Sequence, residues 1–178
     1  PLQHEKYDYV EASESLTGNL ESNKEITLKY RKKSKTITVN YVDEQGNKIK
    51  DTSTLTKKID EEYNIDKPEI QNYTFKSSSK PLTGTITDND EINLVYSKNQ
   101  FGLTVKHIDI DTGAEIADKV SETKEVGYAY TITPLQHEKY DYVEASESLT
   151  GNLESNKEIT LKYRKKSKTI TVNYVDEK

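Results

Sequence analysis

The chain has 178 residues, 31% hydrophobic and 32% charged, with a net charge of −5. Acidic and basic residues are interspersed, which excludes the basic face of a nucleic-acid binder. No apolar run approaches the length needed for membrane insertion, and with no Cys there is neither a disulfide framework nor a Cys-based metal site. The composition leans toward disorder, but periodic apolar positions oppose it. The 13 Tyr, against 2 Phe and no Trp, suit narrow sheets, because Tyr fills a thin core with its ring and keeps its hydroxyl in water.

Residues 1–44 return letter for letter as residues 134–177. Such a repeat fixes architecture before any local reading does. A shorter period lies inside it. Ile37-Thr38-Val39 matches Leu103-Thr104-Val105 at an offset of 66, and from Gly46/Gly113 onward the offset is 67. The extra residue falls in the turn Asp109–Gly113, opposite the shorter Asp43–Gly46. Two related repeats therefore alternate. In this register 1–34 is the C-terminal half of one repeat, 35–99 and 100–167 are full repeats, and 168–178 is the opening strand of the next.

In chain order, Tyr7, Tyr9 and Val10 read as a strand, and Leu16-Thr17-Gly18-Asn19-Leu20 as an apolar–turn–apolar motif whose Gly permits positive φ or close backbone approach. Ile26, Leu28 and Tyr30 alternate with Thr27 and Lys29, the period of a half-buried strand. The first full repeat opens with Ile37, Val39 and Tyr41 facing one way, then a hairpin turn at Asp43–Asn47 with Gly46 at positive φ, then a return strand from Ile49 to about Lys58. Asp60-Glu61-Glu62-Tyr63 is expected as one helical turn with Asp60 as its cap, and Pro68 stops any longer helix. Tyr73 and Phe75, the stretch Pro81–Ile86, and Ile92, Leu94 and Tyr96 supply the remaining strands. In the second repeat Val126, Tyr128, Tyr130 and Ile132 alternate, so the segment matching Asp60–Ile65 is left open between helix and strand.

These repeats resemble the MucBP (mucin-binding protein) repeats of Gram-positive surface adhesins. The likeness rests on Ile37–Ile49, Tyr63, Pro68, Tyr73, Leu82-Thr83-Gly84-Thr85 and Ile92–Tyr96, and on Leu103–Ile116, Gly127, Tyr130, Pro134, Tyr140, Leu149-Thr150-Gly151 and Ile159–Tyr163. It implies a β-rich (α+β) fold of small β-grasp, ubiquitin-like modules strung end to end as an elongated rod. It also implies an extracellular, wall-anchored protein whose partner is host mucin or another glycoprotein, bound weakly by each repeat and strongly by many. The alternative is a stalk that projects another adhesive domain. Asp60 stands where the second repeat and many family members carry Gly.

The densest charge cluster, Lys29–Lys35, returns at Lys162–Lys168. It reads either as a solvated joint or as a basic notch for sialic acid or sulfate, built from Arg31, Lys32, Lys33, Arg164, Lys165 and Lys166. Alternate carboxylates at Asp109 and Asp111 suit calcium, or simply a turn rich in Asp and Gly. No other cofactor is implied. No nucleophile motif, phosphate loop or acid/base constellation points to an enzyme. His107 aligns with Tyr41 and reads as a packed core histidine. The half-repeat 1–34 and the strand 168–178 are each expected to expose apolar edges and to complete each other head to tail between molecules.

Overall fold

A computed structural model describes residues 1–177. Among them there are fourteen strands and no helix, so the expected β-rich fold is all-β. The chain divides into two compact units, Pro1–Ser97 and the residues from Lys98 onward.

The first unit begins with a two-stranded ribbon, β1 (Tyr7–Ala12) against β2 (Leu28–Lys32). A four-stranded sheet follows, made by β3 (Ser34–Asp43), β4 (Lys48–Lys58), β6 (Tyr73–Ser78) and β8 (Asp90–Lys98) in the order β4-β3-β8-β6. A small pair, β5 (Glu62–Asn64) and β7 (Thr83–Thr85), lies apart from it. β3 is antiparallel to β4 across the hairpin turn and parallel to β8, with Val39 opposite Ile92 and Tyr41 opposite Leu94. The first and last strands of the repeat thus lie side by side at the centre, as a β-grasp sheet requires. The parallel pair needs a long crossover, and here extended chain makes it where a helix was open.

The second unit repeats the plan. β9 (Gln100–Asp109), β10 (Glu115–Glu125), β12 (Tyr140–Ala145) and β14 (Lys157–Lys165) form a sheet of order β10-β9-β14-β12. β11 (Tyr128–Thr131) pairs with β13 (Thr150–Leu153).

The period-2 pattern decides which face is covered. Ile37, Val39 and Tyr41 alternate inward with Ile92, Leu94 and Tyr96, and all six are buried. The second core is built from Leu103, Tyr130, Leu153, Ile159, Leu161 and Tyr163. Each fully buried aliphatic side chain contributes about 1.5–3 kcal/mol, which is how such small modules hold together. The opposite face is polar. Thr52 donates to Asn40 Oδ1, and Asn40 Nδ2 donates to Glu91 and Asn93; in the second repeat Lys106 pairs with Glu158.

The crossover is pinned by a tyrosine hydroxyl at the same place three times. Leu2 N–H donates to Tyr30 Oη at 2.8 Å and Leu135 N–H donates to Tyr163 Oη at 2.8 Å. Pro68 has no N–H, so Tyr96 turns its hydroxyl round and donates to the Pro68 carbonyl at 2.9 Å.

The expected helical turn at Asp60 is a tight turn instead. Asp60 has φ +68°, Glu61 N–H donates back to the Lys58 carbonyl at 3.0 Å, and Glu61 Oε2 accepts from Lys58 N–H. Gly127, at the same place, has φ +80°. The position demands a left-handed residue, which Gly adopts freely and Asp tolerates; a cap needs extended φ and cannot form there. The Gly of Leu-Thr-Gly serves close approach. A Cβ on Gly84 would lie 3.0 Å from Tyr63 Oη, and one on Gly151 would lie 2.8 Å from Tyr130 Oη. The two hairpin turns differ by the extra residue: Gly46 N–H closes on Asp43 at 3.0 Å, Gly113 N–H on Asp109 at 2.8 Å.

The half-repeat does form its ribbon, but Tyr7, Leu16, Leu20 and Ile26 stay exposed. Ile170, Val172 and Tyr174 are exposed and carry no strand.

Candidate functional site

The basic joint at Arg31, Lys32 and Lys33 is partly neutralised. Strand alternation sends neighbouring cations to opposite faces of β2, and Lys32 and Lys6 converge on Asp60, at 3.2 and 2.9 Å. Lys33 lies 3.9 Å from Asp8, and its carbonyl accepts from Ile59 N–H. The Lys6 hydrogen bond, then that of Lys32, holds the Asp60 carboxyl below its usual range. In the other copy Arg164 sits 3.8 Å from Asp111 and Lys166 sits 3.6 Å from Asp141. Arg31 and Lys165 have no ion pair among the described residues. The structure places these six residues in two joints, each mixed with carboxylates.

Asp109 is buried, and its carboxylate closes its own turn: Oδ1 accepts from Asp111 N–H at 2.9 Å. That bond, with contributions from Thr112 and Tyr140, lowers its pKa. Asp43 does the same with Gln45 and Asn47. Both Asp are therefore committed to turn geometry. Among the described residues no group of three or more His, Asp or Glu side chains is arranged to hold a metal ion.

Each repeat also carries a cleft between the inner sheet face and the crossover, which sequence reasoning missed. In the first repeat it lies beside Val39, Tyr41 and Ser53 and holds about 200 Å³. Tyr41 Oη meets Ser53 Oγ at 2.8 Å across it. In the second repeat His107 and Val120 occupy those two places, the bridge is gone, and the cleft opens to about 360 Å³. Ligand sites begin at about 300 Å³; the second-repeat cleft lies above that value and its first-repeat counterpart below it. Leu103, Val105 and Ile132 line it apolarly, with Tyr128 at 42% exposure. At the rim Glu122 is paired with Lys124 at 3.0 Å, and the Lys124 ammonium lies 5.1 Å over the Tyr128 ring.

His107 is 8% exposed, and burial lowers its pKa, so the ring is neutral at physiological pH. Its Nδ1 lies 3.0 Å from Tyr163 Oη. That phenol is 0% exposed and accepts from Leu135 N–H; Nδ1 is the acceptor within reach of its buried O–H, and a buried donor is rarely left unpaired, which assigns the phenol proton to Nδ1. The ring hydrogen then sits on Nε2, which has no partner among the described residues. Among the described residues no buried side-chain nitrogen or oxygen is left unpaired, so Nε2 keeps solvent contact. The paired replacement of Tyr41 and Ser53 by His107 and Val120 was the available sequence signal.

A family model, that of the MucBP domain, matches residues 36–97 and 102–164. Internalin J of Listeria monocytogenes serotype 4b (strain F2365) is 30% identical over 153 residues, covering 82% of this chain and 17% of the internalin. Internalin J of serovar 1/2a (strain ATCC BAA-679 / EGD-e) is 28% identical over 154 residues, covering 82% and 18%. The chain thus spans less than a fifth of these curated relatives. Among solved structures, the Bacillus anthracis TIE protein gives a TM-score of 0.45 at 13% identity, covering 81% of this chain and 38% of that one. The type 2 repeat of the mucus binding protein MUB from Lactobacillus reuteri gives 0.29 at 12%, covering 74% and 100%. Both likenesses are loose. The family match spans most of the chain and falls on both full repeats: the chain belongs to the MucBP domain family.

Proposed function

We propose that this chain is part of the extracellular repeat region of a bacterial surface adhesin, and that it binds mucin-type glycoprotein weakly at each repeat. The exact return of residues 1–44 as 134–177 supports this reading most directly. The same residues return 133 positions later, as tandem copies of one module do, and linked weak sites gain about 10²–10⁴ in avidity once they engage together. The MucBP domain match falls twice in succession, on residues 36–97 and 102–164, which fits a tandem repeat region.

The test compares the 178-residue chain with a multi-copy array on immobilised mucin. The expected result is binding by the short chain weaker than about 1 μM, with a large gain for the array. Equal and negligible capture by both favours the stalk reading. If the joints around Arg31, Lys32, Lys33, Arg164, Lys165 and Lys166 carry the contact, capture falls steeply with salt; salt-insensitive capture removes them.

A further inference from the structure

We propose that the His107 cleft of the second repeat binds a neutral terminal N-acetylhexosamine, and that the first repeat lacks this site. The choice of a glycan rests on the reading above; the choice of residue and of sugar class comes from the cleft. Leu103 and Val120 offer apolar surface suited to an acetamide methyl, while the His107 Nε2–H is a donor for the acetamide carbonyl. Tyr128, exposed at the mouth with Lys124 over one side of its ring, offers the other side to the apolar face of a sugar. Charge decides the class. Among the lining residues the one carboxylate is Glu122, and the cation at the rim, Lys124, is already paired with it, so no unpaired cation faces the cleft. A sialic acid or sulfated sugar would be desolvated there without a counter-charge, which is costly. A plain hexose would leave the apolar surface and the His107 donor less well matched. In the first repeat the Tyr41–Ser53 bridge fills the same space.

The experiment titrates the whole 178-residue chain with free N-acetylgalactosamine and N-acetylglucosamine, against galactose and N-acetylneuraminic acid, by NMR. Dissociation constants of about 1–10 mM are expected for the first two. Shifts should centre on His107, Val120 and Tyr128, with galactose and the acidic sugar at least about tenfold weaker, a difference of 1.4 kcal/mol or more. The double variant His107→Tyr/Val120→Ser should lose the response, and Tyr41→His/Ser53→Val combined with Glu61→Tyr, the position matching Tyr128, should create a second set of shifts in the first repeat. Each substitution installs what the other repeat already carries there, and the same spectra report folding. No shift at His107 at ten times the expected constant overturns the proposal, as does equal response to galactose or a sialic acid. Mucin capture without these shifts overturns this site and leaves the adhesin reading standing. Shifts without mucin capture do the reverse. Stronger competition by soluble wall glycan than by mucin glycopeptide overturns the glycoprotein as the source of the sugar.

Discussion

Two stretches of identical sequence have different structures in this molecule. Residues 34–43 are the central strand β3, with Ile37 at 1%, Val39 at 2% and Tyr41 at 6% exposure. The same letters at 167–176 form no strand, and Ile170, Val172 and Tyr174 are 88%, 63% and 94% exposed. Likewise Leu153 is 0% exposed and Leu20 80%. β14 is flanked by both β12 and β9, while its twin β2 has only β1. Local propensity is the same in each pair, so the difference belongs wholly to the neighbouring strands. A strand of these modules is stable because its inward side chains meet a second surface.

The largest expected effect breaks that comparison directly. Leu153→Ala should cost about 2–5 kcal/mol in the denaturant unfolding of the second repeat, whereas Leu20→Ala should stay within about 0.5 kcal/mol. Similar costs at the two sites would show that the half-repeat has a core of its own. Next comes the tyrosine that closes over glycine. Gly151→Ala puts a methyl 2.8 Å from Tyr130 Oη and 3.1 Å from the ring, and about 1–3 kcal/mol of destabilisation is expected from overpacking; an unchanged melting curve would mean that the ring shifts freely.

The open edge of β2 is where a third strand would join. Val105 pairs with Ile159 and His107 with Leu161 in the closed sheet, which maps Val172 and Tyr174 of one molecule onto Ile26 and Leu28 of another. Sedimentation should show weak association that rises with concentration and disappears in Val172→Asp. A strictly monomeric chain at every concentration would exclude that pairing.

The two full repeats should also part with pH. Burial holds the folded-state pKa of His107 below 6.5, so the unfolded state binds the proton more readily. Stability of the second repeat should fall as pH drops from about 6.5 through the folded pKa. The first repeat, with Tyr41 at that place, should be flat over that window. Both should then weaken further in acid, as Asp43 and Asp109, whose folded pKa values are depressed below 3.8, become protonated. Amide exchange at Tyr96 and Tyr163 reads the two separately; parallel profiles, or a step that persists in His107→Tyr, would reject this account. The smallest effect is expected for Asp60→Gly. It removes exposed ion pairs, which contribute little, and it relieves a non-Gly residue at positive φ. The unfolding midpoint should hardly move, while the Lys6 and Lys32 side chains gain mobility by NMR relaxation. A large drop in stability would make the Asp60 cluster a structural staple.

Much of the fold was legible because period-2 alternation is a local signal. Ile37–Tyr41, Ile92–Tyr96 and Ile159–Tyr163 declared both strand and inward face, and the offset change from 66 to 67 located the longer turn. Asp60 misled because a residue that caps helices is also among the few that tolerate left-handed φ, and only the backbone closing on Lys58 distinguishes the two. The joint cations were visible as letters, but Asp60, Asp8, Asp111 and Asp141 reach them through strand pairing and the folded joint. The cleft was hidden for a different reason: its walls, β9, β10 and the start of the crossover, are consecutive in sequence, but the space between them depends on how the crossover folds back over the sheet. The sequence by itself determined the repeats, the strands and their apolar faces, since these follow from side-chain order within a few residues. Only the tertiary structure decided which copies of those strands are buried, which carboxylate meets which lysine, and that His107 opens a space which Tyr41 fills, because each depends on what an unrelated stretch of chain brings to the other side.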